Sequence, residues 1–160
     1  MSTTLDLLLY ETGNGGDLSV SSGGLSTTET LFTSIYLGLF GGNVEQSTTG
    51  EEEEGEQRFD YWANSLFYPD DEANQFNSQT ERVLNEVVLN TSGRERIKTA
   101  VNNDLSFLND VVEYMVEVFI LSSNRVGIQI SFTKLENSSN SVLELVWDNS
   151  LNQLIENKII

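Results

Sequence analysis

The stretch VVEYMVEVFILSSNRVGIQISFTK, residues 111–134, decides the fold. Apolar residues recur at every second position on both sides of the turn residues 122–124, which is the period of a β-strand with one buried face. The predicted buried row comprises Val112, Tyr114, Val116, Val118 and Ile120, then Val126, Ile128, Ile130 and Phe132. After another polar turn at 137–140, Leu143, Leu145 and Trp147 keep the same period. The sequence therefore predicts an antiparallel β meander in the last third of the chain.

Three helices are predicted upstream, from apolar residues at spacings of three and four. Each follows a Ser-x-x-Glu capping box, at 26–29, 78–81 and 92–95, in which the two side chains satisfy backbone groups at the helix start. The first helix is predicted to be deeply buried and to end at Gly41-Gly42. The apolar stripes are Leu31, Ile35 and Leu39 beside Phe32, Tyr36 and Phe40; Val83, Leu84, Val87 and Val88; and Ile97, Val101, Leu105 and Leu108.

The two ends of the chain complete the fold prediction. Alternation through Leu5, Leu7 and Leu9 before the glycine-rich turn at 13–16 predicts an N-terminal short β-hairpin. The tail places Leu151, Leu154, Ile155 and Ile159 at helical spacing over only about three turns, so both helix and strand stay open for it. The predicted fold class is α+β: an N-terminal short β-hairpin, three helices and a C-terminal antiparallel β meander packed on the helices, in a single domain over residues 1–160.

Residues 43–57 have a different composition. Val44 is their only apolar residue, and Glu51–Glu54 with Glu56 concentrate like charge. Because such a segment has too little apolar surface to order itself, we expect a flexible acidic loop. The aromatic cluster that follows, between Phe59 and Tyr68, is interpreted as core, with a partner surface as the alternative.

Charge and composition exclude several classes of function. The chain has 25 Asp and Glu residues against 8 Lys and Arg, a net charge of −17. This field repels phosphates and anionic lipids, so we expect no nucleic acid and no membrane as partner. The absence of His and Cys removes the commonest general base and the usual zinc ligands. We therefore expect no enzymatic activity, no cofactor and no metal, and neither a targeting segment nor a membrane span.

Several short motifs that resemble chemical sites are interpreted as structural. Glu51–Glu54 lacks the Asp, Asn and Gly spacing of a calcium loop, and Gly13–Asp17 lacks the lysine of a phosphate-binding loop. Asp70-Asp71 is typical of a turn. Glu113 and Glu117 lie on one face of a strand and show no sign of the burial that glycosidase carboxylates need, so we expect them at the surface.

Arg94, Arg96 and Lys98 form the one basic cluster of the sequence. Two interpretations stay open for it. The cluster either binds an acidic partner or pairs with Glu95 and Asp104 along its own helix. The three basic residues are therefore candidate partner-binding residues.

The order of these parts resembles the Mu-type baseplate wedge family of contractile-tailed phages, which is related to the sheath-initiator wedge proteins. The resemblance is carried by Asp17-Leu18 after a glycine pair, Gly24-Leu25, the helix ending in LGLF at Phe40, and RFDYW at 58–62 after a polar insertion. Two helices and a meander ending at Trp147 follow. It spans roughly residues 5–148.

The resemblance implies a structural role in the tail baseplate of a virion, after assembly in the host cytoplasm. The implied partners are other baseplate wedge proteins, the tail sheath protein, and the hub or tail tube, with multiple copies in a symmetric assembly. Such a protein helps nucleate sheath assembly around the tube. The alternative, from the net charge, is an acidic inhibitory binding protein that mimics DNA. Mimicry needs carboxylates spread over one face, whereas five are concentrated in the acidic loop.

The candidate sheath-binding surface is the C-terminal region from Val142 to Ile160. Its strand is the last of the meander and has few charges and no Pro, so we expect one side of it to lie at the sheet edge. An unpaired edge is a template for strand addition. The candidate partner-binding residues of this strand are Val142, Glu144, Val146 and Trp147.

Overall fold

The computed structural model describes residues 4–11, 16–42, 66, 68–69, 71, 74–134 and 140–160. Within them the chain has the predicted α+β class, with three α-helices and a four-stranded antiparallel sheet. The contacts within the chain divide the chain into two compact units, Met1–Ser78 and Gln79–Ile160. The single domain over 1–160 stays a prediction. The acidic loop at 43–57 and the RFDYW segment lie outside the described residues, and Leu66 and Tyr68 of the aromatic cluster are exposed.

Short strands of the first unit pair in antiparallel ladders. β1 (Leu5–Leu7) pairs with β6 (Thr27–Glu29), β2 (Leu9–Glu11) with β3 (Gly16–Leu18), and β4 (Val20–Ser21) with β5 (Gly24–Leu25). The β2–β3 pair is the predicted N-terminal hairpin. The other two pairs were not predicted, because the alternation at Leu5–Leu7 was assigned to the hairpin and strands of two residues, such as β4 and β5, are too short to show a period.

Three backbone hydrogen bonds link the three ladders to one another at Leu8, Ser19 and Ser26. Leu8 N donates to the carbonyl of Ser26 at 2.9 Å, Ser26 N to that of Ser19 at 2.8 Å, and Ser19 N to that of Leu8 at 2.9 Å. Each of these residues interrupts a strand, yet each donates one hydrogen bond and accepts one. The closed ring therefore satisfies backbone groups that the ladders leave over.

Helix α1 (Thr30–Phe40) is deeply buried, as its apolar rows predict. It contacts β1, β2 and β6, and the Thr33 hydroxyl donates to the Leu7 carbonyl at 2.9 Å. The helix ends before Gly41, and Gly42 takes a φ of 144°. Its buried apolar residues are Phe32, Ile35, Tyr36, Leu39 and Phe40.

The predicted capping box at 26–29 is wrong. Residues 27–29 form β6, so their backbone groups are paired with β1 instead of opening a helix. Glu29 occupies the N-cap position of α1 but makes no side-chain cap hydrogen bond. Strand pairing with a segment more than twenty residues upstream has replaced the local cap.

Helices α2 (Gln79–Glu86) and α3 (Thr91–Asp104) pack on one another in the second unit. The box predicted at 92–95 is wrong, because Asn90 caps α3 earlier by accepting from Gly93 N at 2.9 Å. Helix α2 begins directly after Ser78, the position that its predicted box indicates, although Ser78 N, the donor that such a box pairs with its Glu, donates to the Gly42 carbonyl at 2.8 Å. A carboxylate distant in sequence caps the helix. Asp104 accepts from the N–H groups of Gln79 and Thr80, at 3.0 and 2.7 Å. Burial raises the pKa of Asp104, although these hydrogen bonds act in the opposite direction.

The helix stripes are buried with three exceptions, the half-buried Leu31 and Val83 and the exposed Val88. Leu84 and Val87 are buried, but Val88 is exposed because α2 ends at Glu86 and Val88 no longer follows the helical period. The stripe that starts on α3 is confirmed throughout, and it continues into a 3-10 helix at Ser106–Leu108. Its members Ile97, Val101, Leu105 and Leu108 are all buried.

The predicted meander is confirmed. β7 (Val112–Ile120), β8 (Arg125–Lys134) and β9 (Asn140–Asp148) pair antiparallel in sequence order, with Ile130 opposite Val116 on one side and Leu143 on the other. Helix α3 packs against β7. The residues of the predicted row that are buried are Val112, Val116, Val118, Val126, Ile128, Ile130, Phe132, Leu143, Leu145 and Trp147, whereas Tyr114 is half-buried and Ile120 exposed.

The tail, left open between helix and strand, is a strand. β10 (Gln153–Ile159) pairs antiparallel with β9, so the strand order is β10-β9-β8-β7. A β-bulge between Leu154 and Glu156 breaks the period of two, which is why the apolar residues have helical spacing. The predicted sheet edge at 142–147 is therefore wrong, because β9 is paired on both sides.

Leu105→Ala should destabilise the protein by about 2–5 kcal/mol, since Leu105 is fully buried and its truncation leaves a cavity. Urea unfolding measures this cost. Phe107→Ala is the matched control: Phe107 is 54 % exposed two residues away and should cost about 0.5 kcal/mol or less. Equal costs for the two variants would contradict the assigned face.

Candidate partner-binding surface

The candidate residues of β9 fall on two faces of the sheet. Trp147 is 1 % exposed and belongs to the inner row, which faces the helices. Val142, Glu144 and Val146 are half-buried on the opposite, outer face. β9 is paired on both sides, so a partner can contact the side chains of these residues but cannot pair with their backbone.

The basic cluster is partly neutralised within its own unit. Arg94 Nη2 lies 2.8 Å from Glu95 Oε1, as the interpretation of pairing along the helix has it. Arg96 Nη2 lies 4.0 Å from Glu86 Oε2 of α2. In the part of the chain that the structure describes, no ion pair joins the cluster to Asp104, which accepts instead from the first amides of α2. Within the described residues Lys98 has no ion pair, and all three basic residues are exposed.

The alternation of hydrogen bonds identifies the backbone groups at the sheet edges. Val142 and Ile160 exchange both of their N–H···O bonds at 2.9 Å, so the backbone groups of Leu143 point the other way, toward β8. Leu143 lies opposite Ile130, which therefore bonds toward β9 and not toward Val116. Val116 consequently directs its N–H and C=O away from the sheet. By the same alternation, so do Val112, Tyr114, Val118 and Ile120.

The β7 edge carries the exposed Glu113 and Glu117 but lacks the other features that usually protect an edge strand. Its pairing with β8 runs from Val112 to Ile120 without a register shift, and the strand contains no Pro and no Lys. Within the described parts of the chain, no other segment forms backbone hydrogen bonds with it. β10, at the opposite edge, is shorter, carries Lys158 and contains the bulge. β7 is therefore the less protected edge.

The outer face of the sheet is apolar with an excess of negative charge. Met115 is 56 % exposed, Phe119 47 % and Leu121 55 %. Leu121 lies over Gly127, where a Cβ would meet its side chain at 3.4 Å. Such a face suits another protein surface better than a phosphate-bearing ligand. Its charged residues, within the described part of the chain, are Glu113, Glu117, Glu144 and Glu156, Lys158, which lies opposite Glu144, and the ion pair Arg125–Asp148 at one end.

A buried carboxylate joins the turns at one end of the sheet. Asp148 accepts from Arg125 Nε at 2.8 Å, from Asn124 Nδ2 at 3.2 Å, and from both the amide and the hydroxyl of Ser150. The hydrogen bond from the Ser150 hydroxyl, and then that from Arg125, lower the pKa of Asp148 to about 2. The sequence pattern does not indicate this network, because several of its members are ordinary turn residues.

Among the described residues, the acidic motifs do not come together in a site. Glu113 and Glu117 are exposed, as expected, and Asp71 is exposed, while Glu51–Glu54 and Asp70 lie outside the described residues. In the described part of the chain, no group of three or more His, Cys, Asp or Glu side chains is placed to hold a metal ion. None of the described helices has the length and apolar character needed to cross a membrane.

Comparisons with known proteins gave no match to this chain, whether with protein-family models, curated proteins or solved structures.

Asp148→Asn should lower the free energy of unfolding at neutral pH. The pKa of Asp148 is depressed in the folded state from 3.8 to about 2, so its contribution is fully present above pH 3.8 and is lost as the pH falls through 2. Urea unfolding at a series of pH values should therefore show a gap between the native chain and the variant that narrows below pH 3.8. Glu113→Gln, at an exposed position, should leave stability at pH 7 nearly unchanged. A gap that stays constant down to pH 2 would contradict the assignment.

Proposed function

We propose that this chain is a structural baseplate wedge component of a contractile phage tail, and that it helps nucleate sheath assembly around the tube. The proposal starts from the order of sequence parts that resembles the Mu-type baseplate wedge family. Its proposed partners are other wedge proteins, the sheath, and the hub or tube, in multiple copies within the virion. Its proposed role is structural and not enzymatic.

The observation that carries the sheath-nucleating role is the outer edge of β10, with which no further strand pairs among the described residues. Because Val142 bonds to Ile160, alternation directs the N–H and C=O groups of Asn157 and Ile159 away from the sheet. Ile159 is 44 % exposed, so an apolar side chain accompanies the open backbone. Strand addition uses both features, since backbone bonds supply affinity and side chains supply specificity. The C-terminal region thus keeps its proposed role, with β10 in place of β9.

The composition of the outer face favours this role over DNA mimicry. A mimic presents carboxylates at phosphate-like spacing, without apolar interruption. Here Glu113 and Glu117 alternate in sequence with Met115 and Phe119, which are both exposed. An apolar surface with interspersed charge is typical of a protein–protein contact.

Ile159→Pro should block sheath assembly and leave the fold intact. Proline removes an N–H that faces away from the sheet, a place where edge strands tolerate it. Electron microscopy of tails assembled with the variant should show baseplates without sheath, while circular dichroism shows a folded protein. Ile159→Thr is the matched control, because it retains the N–H, and it should give sheathed tails.

Two outcomes would overturn the proposal. Normally sheathed tails with a folded Ile159→Pro protein would exclude β10 as the sheath's template. Purified tails that fail to bind an antibody against this chain would exclude the baseplate role as a whole. In that case, binding of the purified chain to a DNA-binding protein, displaced by DNA, would support the acidic inhibitor instead.

A further inference from the structure

We propose that the β7 edge is a self-association site, at which a second copy of this chain pairs antiparallel about a two-fold axis. The two four-stranded sheets then form one continuous sheet. β7 is at the opposite edge from β10, so this contact goes beyond the proposed sheath-binding role and leaves β10 free. A two-fold contact uses the same patch on both copies, which requires that the edge be complementary to itself.

One register pairs every outward-facing residue of the edge. When Val116 lies opposite the partner's Val116, Val112 lies opposite the partner's Ile120 and Tyr114 opposite the partner's Val118. All of these residues direct N–H and C=O outward, so each pair exchanges both hydrogen bonds. Moving the axis to Met115 or Glu117 keeps the geometry but leaves outward-facing residues at the strand ends without a partner. Backbone pairing therefore favours the axis at Val116.

The charges of the outer face select the same register. An axis at Val116 sets Met115 opposite the partner's Glu117, and Glu113 opposite the partner's Phe119. An axis at Met115 would set Glu113 directly opposite the partner's Glu117. An axis at Glu117 would set the two copies of Glu117 opposite each other. Like charges directly opposite destabilise an antiparallel pair, so only the first of these registers gives each carboxylate an apolar neighbour.

The exposed apolar residues along the edge explain why a second copy fits. Met115 and Phe119 are about half exposed, and the proposed pairing makes each a cross-strand neighbour of the partner's strand. Beyond the strand ends, Val111 is 57 % exposed and comes opposite the partner's Leu121, which is 55 % exposed. Because the two copies of β7 run antiparallel, each outer-face residue of one copy thus lies opposite a residue of suitable chemistry on the other.

Long-range repulsion opposes this association. Each copy carries a net charge of −17, and each Glu117 would be a diagonal neighbour, about 7–8 Å away, of both the partner's Glu117 and the partner's Glu113. Salt screens such repulsion between exposed charges and leaves backbone hydrogen bonds and apolar contacts in place. We therefore expect dimerisation to strengthen as ionic strength rises, opposite to the behaviour of a contact held by ion pairs.

Cysteine cross-linking tests the contact and its register. The chain has no native Cys, so introduced cysteines report without background. Positions 115 and 117 face each other in the non-hydrogen-bonded geometry, with Cα atoms about 4.5 Å apart, which a disulfide can bridge. Met115→Cys and Glu117→Cys chains of different tag length, mixed and mildly oxidised, should give about tenfold more cross-linked dimer than either variant alone, the ratio produced by a register preference of about 1.4 kcal/mol.

The controls separate register, edge and fold. Met115→Cys cross-linking only with itself would indicate the axis at Met115, and Glu117→Cys cross-linking only with itself the axis at Glu117; either result overturns the proposed register. Glu156→Cys, on the outer face at the β10 edge, should cross-link with neither. Val118→Pro removes an outward N–H and should abolish the dimer in light scattering, whereas Ile159→Pro should retain it. A monomer at every protein and salt concentration would overturn the proposal.

Discussion

The two-sided hydrogen bonding of β9 is the constraint on which the second unit depends. Once Val142 is bonded to Ile160, alternation sets the direction of the backbone groups from the part of β10 after its bulge to β7. The face to which each side chain points is then set as well, because side chains alternate between the two faces along each strand. One pairing therefore determines the buried row, the outer face and the groups left open at both edges.

Two carboxylates anchor this sheet and its helices, under opposite electrostatic conditions. Asp104 joins the two helices by accepting from the first amides of α2, and burial raises its pKa. Asp148 joins the turns at one end of the sheet, where hydrogen bonds from Ser150 and Arg125 lower its pKa. Lowering the pH thus weakens the sheet end while it relieves the cost of charging Asp104. The contributions of Asp104 and Asp148 to stability therefore change in opposite directions as the pH falls.

The parts of the fold that the sequence predicted are those with a long, uninterrupted period. The meander and the stripe from Ile97 to Leu108 are such parts, and their buried residues are where the pattern placed them. The tail was not recognisable as a strand, because a single bulge shifts the alternation of inward and outward side chains for all later residues. The start of α1 was assigned to a cap because its pairing with β1 is not visible in local sequence.

The candidate site was predictable only in part, for the same reason. A strand edge is a property of what pairs on each side, and the strand that covers β9 was not recognisable as a strand. Val142, Glu144 and Val146 lie at the sheet surface, but Trp147 is in the core. Which backbone groups of β7 point away from the sheet follows from the alternation of hydrogen bonds across all four strands. The sequence pattern of a single strand does not contain this information.

The strand order also bears on how the chain folds during synthesis. Every strand of the sheet pairs with its neighbour in sequence, so the contacts have low contact order and form quickly as each strand leaves the ribosome. β10 is made after β9 and separated from it by a short turn. Until those residues emerge, β9 is itself an open edge on a nascent chain. The short connection to β10 thus shortens the time for which β9 exposes an edge during synthesis.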